Sequence, residues 1–558
     1  MATRYTGIQI LMETLLEEDV SYVFGNPGTT ELPLIDALAD FPQLEYILAL
    51  HEAVAVSMAD AYAQSTGRVG VVNLHVGPGL GNGLGSIYNA WEGHTPMVVT
   101  AGQQDSRMRL REPLLGHDLV AMAAPLTKWS VEANEADELA HLLNRAFKIA
   151  RDDPPGPVFV SLPINVMSQT TEQGPRSRSR VYRRARPDAD GIAQAAALLL
   201  GAQHPLIVCG DQVAQSGAVS ALVALAEFLG AGVYSEILPA RVNFPNQHPH
   251  YRDRLPHDQR LIRRSMGDSD VVLLVGGDFF EEVWFTAEEP FATGTKLIQV
   301  DRTLDKLGRN YTVHCALAAD PRITLETLLE AVAAEAGTPF HRAAQTRRER
   351  LTEQKATERE QQKARALEPG ANRAMSAARL MLELDEALPP DATIAAEAIT
   401  ATPDLTRTLS FSGPEDYLSS RGGGIGQGLP SAIGVKLAFP QRPVLCVSGD
   451  GSALYTIQAL WTAAHHRIAV VFLVINNATY RILKMNMNRY RGEQRIDAAR
   501  GYPHLDLVDP ELDFVSLAEG FGVKARAIRA PEDVQPAVRA AFASGEPWLL
   551  DVSVDASL

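Results

Sequence analysis

Short apolar runs rich in β-branched residues recur along the chain: YVFG, YILAL, VGVVNL, MVVTAG and VFVSLP in the first third alone, each separated from the next by a stretch with helical spacing. This alternation predicts parallel sheets covered by helices, an α/β fold. Two segments break it. QTTEQGPRSRSRVYRRARPDAD (Gln169 to Asp190) is polar and Arg-rich, and GTPFHRAAQTRRERLTEQKATEREQQKARALEPGANR (Gly337 to Arg373) is a charged, helix-like run ending in Pro and Gly. Read as linkers, they divide the chain into three α/β blocks, about 1–168, 190–336 and 374–558. Each block is expected to be a domain with its own parallel sheet flanked by helices.

Composition narrows the function classes. The 558 residues carry a formal net charge of −16, which argues against a nucleic-acid partner. The apolar run Ile468 to Ile475 is far shorter than the ~20 residues that cross a bilayer, so no membrane partner is expected. The N-terminus reads as an amphipathic helix without a signal-peptide pattern. Cys209, Cys315 and Cys446 are scattered, with no metal-ligand spacing and no disulfide framework. A cytoplasmic location is the expectation.

Candidate chemistry concentrates in GDGSALYTIQALWTAAHHRIAVVFLVINN, Gly449 to Asn477. VLCVSGDGS reads as strand, glycine-flanked turn, then helix. A second strand follows and ends in Asn476 and Asn477. In an open parallel sheet the carboxyl ends of neighbouring strands face one crevice, so Asp450 and Asn477 are expected to meet. Both offer hard oxygen ligands for Mg²⁺ or Ca²⁺. Gly449 and Gly451 admit a phosphate, and the helix N-terminus favours it. A lone GDG is also an ordinary turn; GDG paired with NN at a separation of 27 residues is more specific.

That pairing resembles the diphosphate-binding motif of thiamine-diphosphate enzymes. The resemblance spans the whole chain. FGNPGTTELPLIDAL, LALHEAVAVSMADAYAQ, NLHVGPGLGNGLGSIYNAW, TAGQQ and NNATY are most similar to the benzoylformate decarboxylases. It implies a pyrimidine-binding N-terminal domain, a middle domain and a diphosphate-binding C-terminal domain. Asp450, Asn477 and the carbonyl of Thr479 would hold Mg²⁺ or Ca²⁺. Gly451, Ser452 and Tyr480 would contact the diphosphate of thiamine diphosphate, with Ile399 and Thr400 on its other side. Glu52, among apolar neighbours in LALHEAVAV, would hold a proton at N1′ of the cofactor's pyrimidine; its plainer reading is a charge at a helix N-terminus. Ile425, in SSRGGGIGQGLPSAIG, would be the apolar wedge that bends the cofactor, with the Gly423 carbonyl accepting from the 4′-amino group. His75 would move the proton that completes a decarboxylation through an enamine.

Departures from the family pattern bear on the substrate. GNPGS is here GNPGT, so Thr29, after Gly28, offers its hydroxyl with an added methyl. A second active-site histidine of that family is absent: Val283 in GGDFFEEVWF stands about where it would fall, and His117 is the candidate replacement. Ile482, Leu483 and Asn486 fall at the aryl-binding positions, and Ile482 is larger than the alanine expected there. The expected activity is decarboxylation of a 2-oxo acid, with carboligation of aldehydes and a preference for small aliphatic substrates.

Three other readings stand beside this. An acetolactate-synthase-like carboligase often holds FAD in the middle domain, yet no full GxGxxG occurs there. A 2-hydroxyacyl-CoA lyase would use Arg481, Lys484 and Arg489 at the mouth. A cofactor-binding regulatory relic sits poorly with retention of Glu52, His75, Asp450 and Asn477. In the resembled family Glu52 and Asp450 come from different subunits, which implies self-association to a dimer or tetramer.

Overall fold

The structure, a computed structural model, describes residues 4–368, 375–497 and 500–558. The chain forms two compact units: Met1–Arg180 with Pro369–Thr402 and Ser420–Leu558, and Val181–Glu368 with Pro403–Ser419. Each block carries a parallel sheet flanked by helices. The first block and most of the third share a unit, with Pro403–Ser419 in the other, and the expected start of the third block at 374 lies outside the described residues.

In the first block the strands are β1 (Tyr22–Gly25), β2 (Glu45–Leu48), β3 (Gly70–Leu74), β4 (Met97–Gln103), β5 (Ser130–Glu132) and β6 (Pro157–Pro163). Their order is β2-β1-β3-β4-β6-β5, all parallel. β3, β4 and β6 are buried along their whole length, which explains why they read as unbroken apolar runs rather than alternating ones. Helix α1 (Glu52–Thr66) follows β2, and α2 (Val76–Glu92) follows β3.

The second unit holds β7 (Pro205–Cys209), β8 (Gly232–Ser235), β9 (Tyr251–Arg254), β10 (Val271–Val275), β11 (Lys296–Asp301) and β12 (Cys315–Ala318). The order is β9-β8-β7-β10-β11-β12, again parallel. The segment expected to be a charged linker is mostly helix α3 (Thr338–Leu367), which packs on this unit. Arg347, 8% exposed, donates from Nε and Nη2 to the Leu229 carbonyl at 3.1 and 2.7 Å. With Ala344 and Leu351 it gives an otherwise charged helix one buried stripe, a pattern too sparse to stand out in the sequence. The Pro-Gly end of that segment lies outside the described residues. Residues 173–188, the other expected linker, have no regular secondary structure.

In the third block β13 (Thr393–Glu397), β14 (Val444–Gly449), β15 (Val471–Asn476), β16 (Lys524–Ile528) and β17 (Trp548–Ser553) run parallel in the order β13-β14-β15-β17-β16. Helix α4 (Gly428–Ala438) precedes β14 and packs along α1. α5 (Asp450–Tyr455) and α6 (Ala459–His465) lie between β14 and β15, and α7 (Arg481–Gln494) follows β15. Among the described residues no helix is long and apolar enough to cross a membrane.

Candidate active site

The aspartate that follows the apolar strand β14 is the first residue of α5, and the two asparagines at the end of β15 have separate roles. Asp450 is 4% exposed. Its Oδ1 accepts the Gly451 amide at 2.7 Å; its Oδ2 accepts the amides of Asn477 at 3.0 Å and Ala478 at 2.7 Å. Burial pushes the Asp450 carboxyl up, and these amides pull it back. Asn476 turns to the sheet, where its Nδ2 donates to Asp551 at 2.9 Å. Asn477 sits at the turn, its Oδ1 accepting the Thr479 amide at 3.1 Å. Ala478 has φ of +54°, so the backbone turns left-handed directly after the two asparagines. The turn is pinned by Leu505, whose carbonyl accepts from Thr479 Oγ1 and from the Tyr480 amide, each at 2.8 Å.

The cleft these residues border also takes in Ile399, Thr400, Ile425, Gly451, Ser452 and Ile482. A Cβ on Gly451 would lie 2.5 Å from the Tyr480 ring, so only glycine lets Tyr480 close over the turn. Ile425 is presented by a loop in which Gly422, Gly423 and Gly426 all have positive φ. That loop is held from three sides. Glu397, at the end of β13, accepts the amides of Gly426 and Gly428, both at 2.8 Å. Burial pushes its carboxyl up to about 7, against the pull of the loop amides. Thr456 Oγ1 donates to the Gly426 carbonyl at 2.7 Å, and Asn89 of α2 holds Gly424.

Glu52 opens α1 and is 6% exposed; Asn82 Nδ2 donates to its Oε2 at 3.0 Å. His75 caps the start of α2. Its Nδ1 stands 2.7 Å from Oε2 of Glu31 and 3.3 Å from Thr30 Oγ1. Glu31, 2% exposed, also accepts the amides of Gly28 at 2.9 Å and Gly102 at 2.8 Å. A Cβ on Gly28 would fall 2.1 Å from the His75 ring, so the GNPG turn lies flat against the imidazole. Thr29 is exposed, and the threonine that reaches His75 is its neighbour Thr30.

The structure therefore gathers Asp450, Asn477, Thr479, Tyr480, Gly451, Ser452, Ile399, Thr400, Ile425 and Ile482 in one cleft, lined among the described residues by the third block alone. Glu52 and His75 lie in the first block. His117 is exposed in a separate groove with Gln103, Arg109 and Glu132, and Gln103 Nε2 donates to its carbonyl at 2.8 Å. Leu483 is 44% exposed, and neither it nor Asn486 borders the cleft. Val283 is 66% exposed on a loop of the second unit.

Sequence reasoning missed Glu31, Asn82, Asn89 and Glu397. A signal existed for two of them. His75, Asn82, Ser86 and Asn89 recur at helical spacing along α2, a polar stripe on an otherwise apolar helix. Ser86 uses its place on the stripe to accept from Gln427 Nε2 at 3.1 Å. Glu31 reads in sequence only as an acidic residue in a first helical turn.

A parallel sheet that bears a buried carboxylate, an asparagine and a glycine turn at its carboxyl end marks an α/β protein of one particular class. Comparison with known proteins states which. Residues 5–122 match the thiamine pyrophosphate enzyme N-terminal TPP binding domain, 192–328 the central domain and 400–552 the C-terminal TPP binding domain. The chain belongs to the thiamine-diphosphate-dependent enzyme family and is an enzyme of its carbon–carbon lyase type. It is 34% identical to benzoylformate decarboxylase of Pseudomonas aeruginosa over 97% of both chains. It is 29% identical to a putative acetolactate synthase large subunit, IlvX, of Mycobacterium tuberculosis, over 98% of this chain and 99% of that one. Among solved structures, the thiamine diphosphate-dependent 4-hydroxybenzoylformate decarboxylase of Rhodococcus jostii RHA1 superposes with a TM-score of 0.87 at 30% identity, covering 99% of each chain.

Proposed function

We propose that this chain decarboxylates a 2-oxo acid, ligates aldehydes as a side reaction, and favours small aliphatic substrates. The observation that carries the substrate preference is Ile482, which borders the same cleft as Ile425, Asp450 and Asn477. A branched side chain at that point shortens the space left for an aryl ring.

The residues fit a metal-bridged diphosphate. Asp450 and Asn477 are hard oxygen donors suited to Mg²⁺ or Ca²⁺, with the Thr479 carbonyl as the third protein ligand. A Cβ on Gly449 would meet nothing within 4 Å, which leaves the approach to the cradle open. Gly451, Ser452, Tyr480, Ile399 and Thr400 take the diphosphate, and Ile425 is the wedge beside the Gly423 carbonyl. Bound thiamine diphosphate supplies a carbanion nucleophile and an electron sink. The chain does the rest. Glu52, nearly excluded from water and oriented by Asn82, holds the proton at N1′. With Nδ1–H of His75 donating to Glu31, Nε2 is left to move a proton to or from substrate. Gly28 and Thr29 border the substrate carboxylate.

Among the described residues the cleft is lined by the third block alone, and completion of the site by Glu52 is proposed to occur across two subunits of a dimer or tetramer. The 2-hydroxyacyl-CoA reading is disfavoured by its own cations: Arg481 donates to the Ser557 carbonyl at 2.8 Å, Lys484 pairs with Asp506, and Arg489 bonds Glu493 at 3.0 Å.

The test is CO₂ release from a panel of 2-oxo acids. Overpacking a shaped pocket costs about 1–3 kcal/mol, roughly 5- to 150-fold in kcat/KM. Short aliphatic acids are expected to outrank benzoylformate by a factor in that range, and Ile482→Ala to shift the preference back toward the aromatic acid. A wild type that prefers benzoylformate by about tenfold or more would overturn the aliphatic reading.

A further inference from the structure

The middle sheet has the topology of a dinucleotide-binding domain. Counted within the sheet, its strands lie in the order third, second, first, fourth, fifth, sixth, and such sheets take the pyrophosphate where the order reverses. Here that point lies between β7 and β10. The turns that follow these strands carry Gly210 and the pair Gly276 and Gly277, and in a nucleotide site their amides would face the phosphates.

The Gly210 and Gly276 amides are taken by the carbonyls of Val275 and Val300, and a following amide of each turn already meets a carboxylate. Glu236, directly after β8, is 0% exposed. Its Oε1 accepts the Asp211 amide at 2.8 Å and its Oε2 accepts the Asp278 amide at 2.9 Å, so one carboxylate spans both turns. The turns also abut: a Cβ on Gly210 would lie 2.3 Å from the Gly277 Cα. The helix that follows β7 is only Gln212–Gln215, four residues, and offers little dipole to an incoming phosphate. Another carboxyl stands at the end of the adjacent strand. Asp301 ends β11 fully buried, its Oδ1 accepting from Gln212 Nε2 at 2.9 Å and the Thr303 amide at 2.7 Å. The nearby cation Lys306 is paired with Asp278 at 2.7 Å.

We propose that the Glu236 carboxylate is a resident anion occupying the place of a nucleotide's phosphates between the β7 and β10 turns, and that it closes the middle domain to FAD and other adenine dinucleotides. The fold supplies the nucleotide topology; this chain fills it with its own side chain. A buried carboxylate bonded to two amides is stabilised as a phosphate would be, and a second anion beside it would be repelled at short range in a dry site. The inference stands apart from the decarboxylase reading and removes the flavin on which an acetolactate-synthase-like site would draw.

The experiment uses holoenzyme saturated with thiamine diphosphate and Mg²⁺, so that the diphosphate cradle is filled. FAD, ADP and inorganic phosphate are titrated by calorimetry, with thermal unfolding as the second readout. Wild type is expected to bind none of them at ~1 mM and to purify without flavin absorbance. Glu236→Ala is expected to bind ADP or inorganic phosphate at least about tenfold more tightly than wild type, with a ligand-dependent rise in Tm. Glu236→Gln keeps the shape without the charge and serves if the alanine variant does not fold. Wild type that binds FAD or ADP with Kd below about 100 μM, or folded variants that bind no better than wild type, would overturn the proposal.

Discussion

Asn89 grips Gly424 through both of its amide atoms: Nδ2 donates to the Gly424 carbonyl at 2.9 Å, and Oδ1 accepts the Gly424 amide at 3.1 Å. The two residues are 335 positions apart. The clamp ties α2, which begins after His75 and passes Asn82 beside Glu52, to the loop that presents Ile425. One helix thus reaches both Glu52, through Asn82, and the loop of Ile425, through Asn89.

Asn89→Ala leaves two backbone groups of that loop without partners. A lost hydrogen bond is worth about 0.5–1.5 kcal/mol net, so a lower Tm is expected. Cofactor should also be retained less well, because Ile425 is no longer fixed. Thermal unfolding and thiamine diphosphate titration check this. A variant with wild-type cofactor affinity and kcat would show that the clamp has no part in the site.

Glu52→Gln preserves the shape of the side chain and can still meet Asn82. It cannot share a proton with N1′ as a carboxyl does. Folding and cofactor binding should persist while kcat falls by at least about 100-fold, the lower end for a lost acid–base group. Near-normal turnover would remove Glu52 from its proposed role.

Asp450 serves both the fold and the proposed metal. Replacement by alanine orphans the amides of Gly451, Asn477 and Ala478 together. Asp450→Asn keeps acceptors for part of that network and loses the charge. Both variants are expected to lose thiamine diphosphate on dialysis against EDTA faster than wild type, and the asparagine variant should do so while still folded. Retention equal to wild type in Asp450→Asn would contradict the cradle assignment.

His466 gives a pH dependence. Its Nε2 accepts the Leu48 amide at 2.9 Å at the end of β2, and Thr462 Oγ1 donates to the Leu48 carbonyl at 3.1 Å. An accepting Nε2 must be unprotonated. Burial, aided by His465, pushes the His466 imidazole down to about 4 from the ordinary value of 6.5. The unfolded chain therefore binds more protons between those values, and stability rises with pH across the window. The contribution is fully present above pH 6.5 and is lost as pH falls toward 4. Glu397 works in the opposite sense: its folded carboxyl keeps a proton up to about 7, so its contribution declines as pH rises from about 4.5 to 7. In denaturant titrations across pH, His466→Ala is expected to remove the acid-side loss and Glu397→Gln the loss toward neutrality. Unchanged slopes would show that neither group titrates in the folded state as described.

Much of the fold was legible because it depends on short-range order. The apolar runs of β3, β4 and β6 and the helical spacing between runs announced parallel α/β architecture, since strands buried on both faces need unbroken apolar sequence. The turn chemistry of Gly449, Asp450 and Gly451, and of Asn476 and Asn477, predicted a meeting at the strand ends because parallel strands bring their carboxyl ends to one edge.

What the tertiary structure alone decided are the partners. Local spacing cannot say that the Asn477 amide bonds Asp450 while the Asn476 side chain bonds Asp551, because both choices suit the same dipeptide. Nor can it say that Thr30 rather than Thr29 faces His75, that Glu31 rather than a helix dipole is the partner of that imidazole, or that Glu236 reaches across two glycine turns. The long charged run in α3 escaped for a related reason: its few buried positions acquire meaning only against the surface that covers them. The periodicity of the chain determines which elements form and which edge they share. Hydrogen bonds between residues far apart in sequence depend on packed geometry, and that geometry assigns each polar side chain to the fold or to the site.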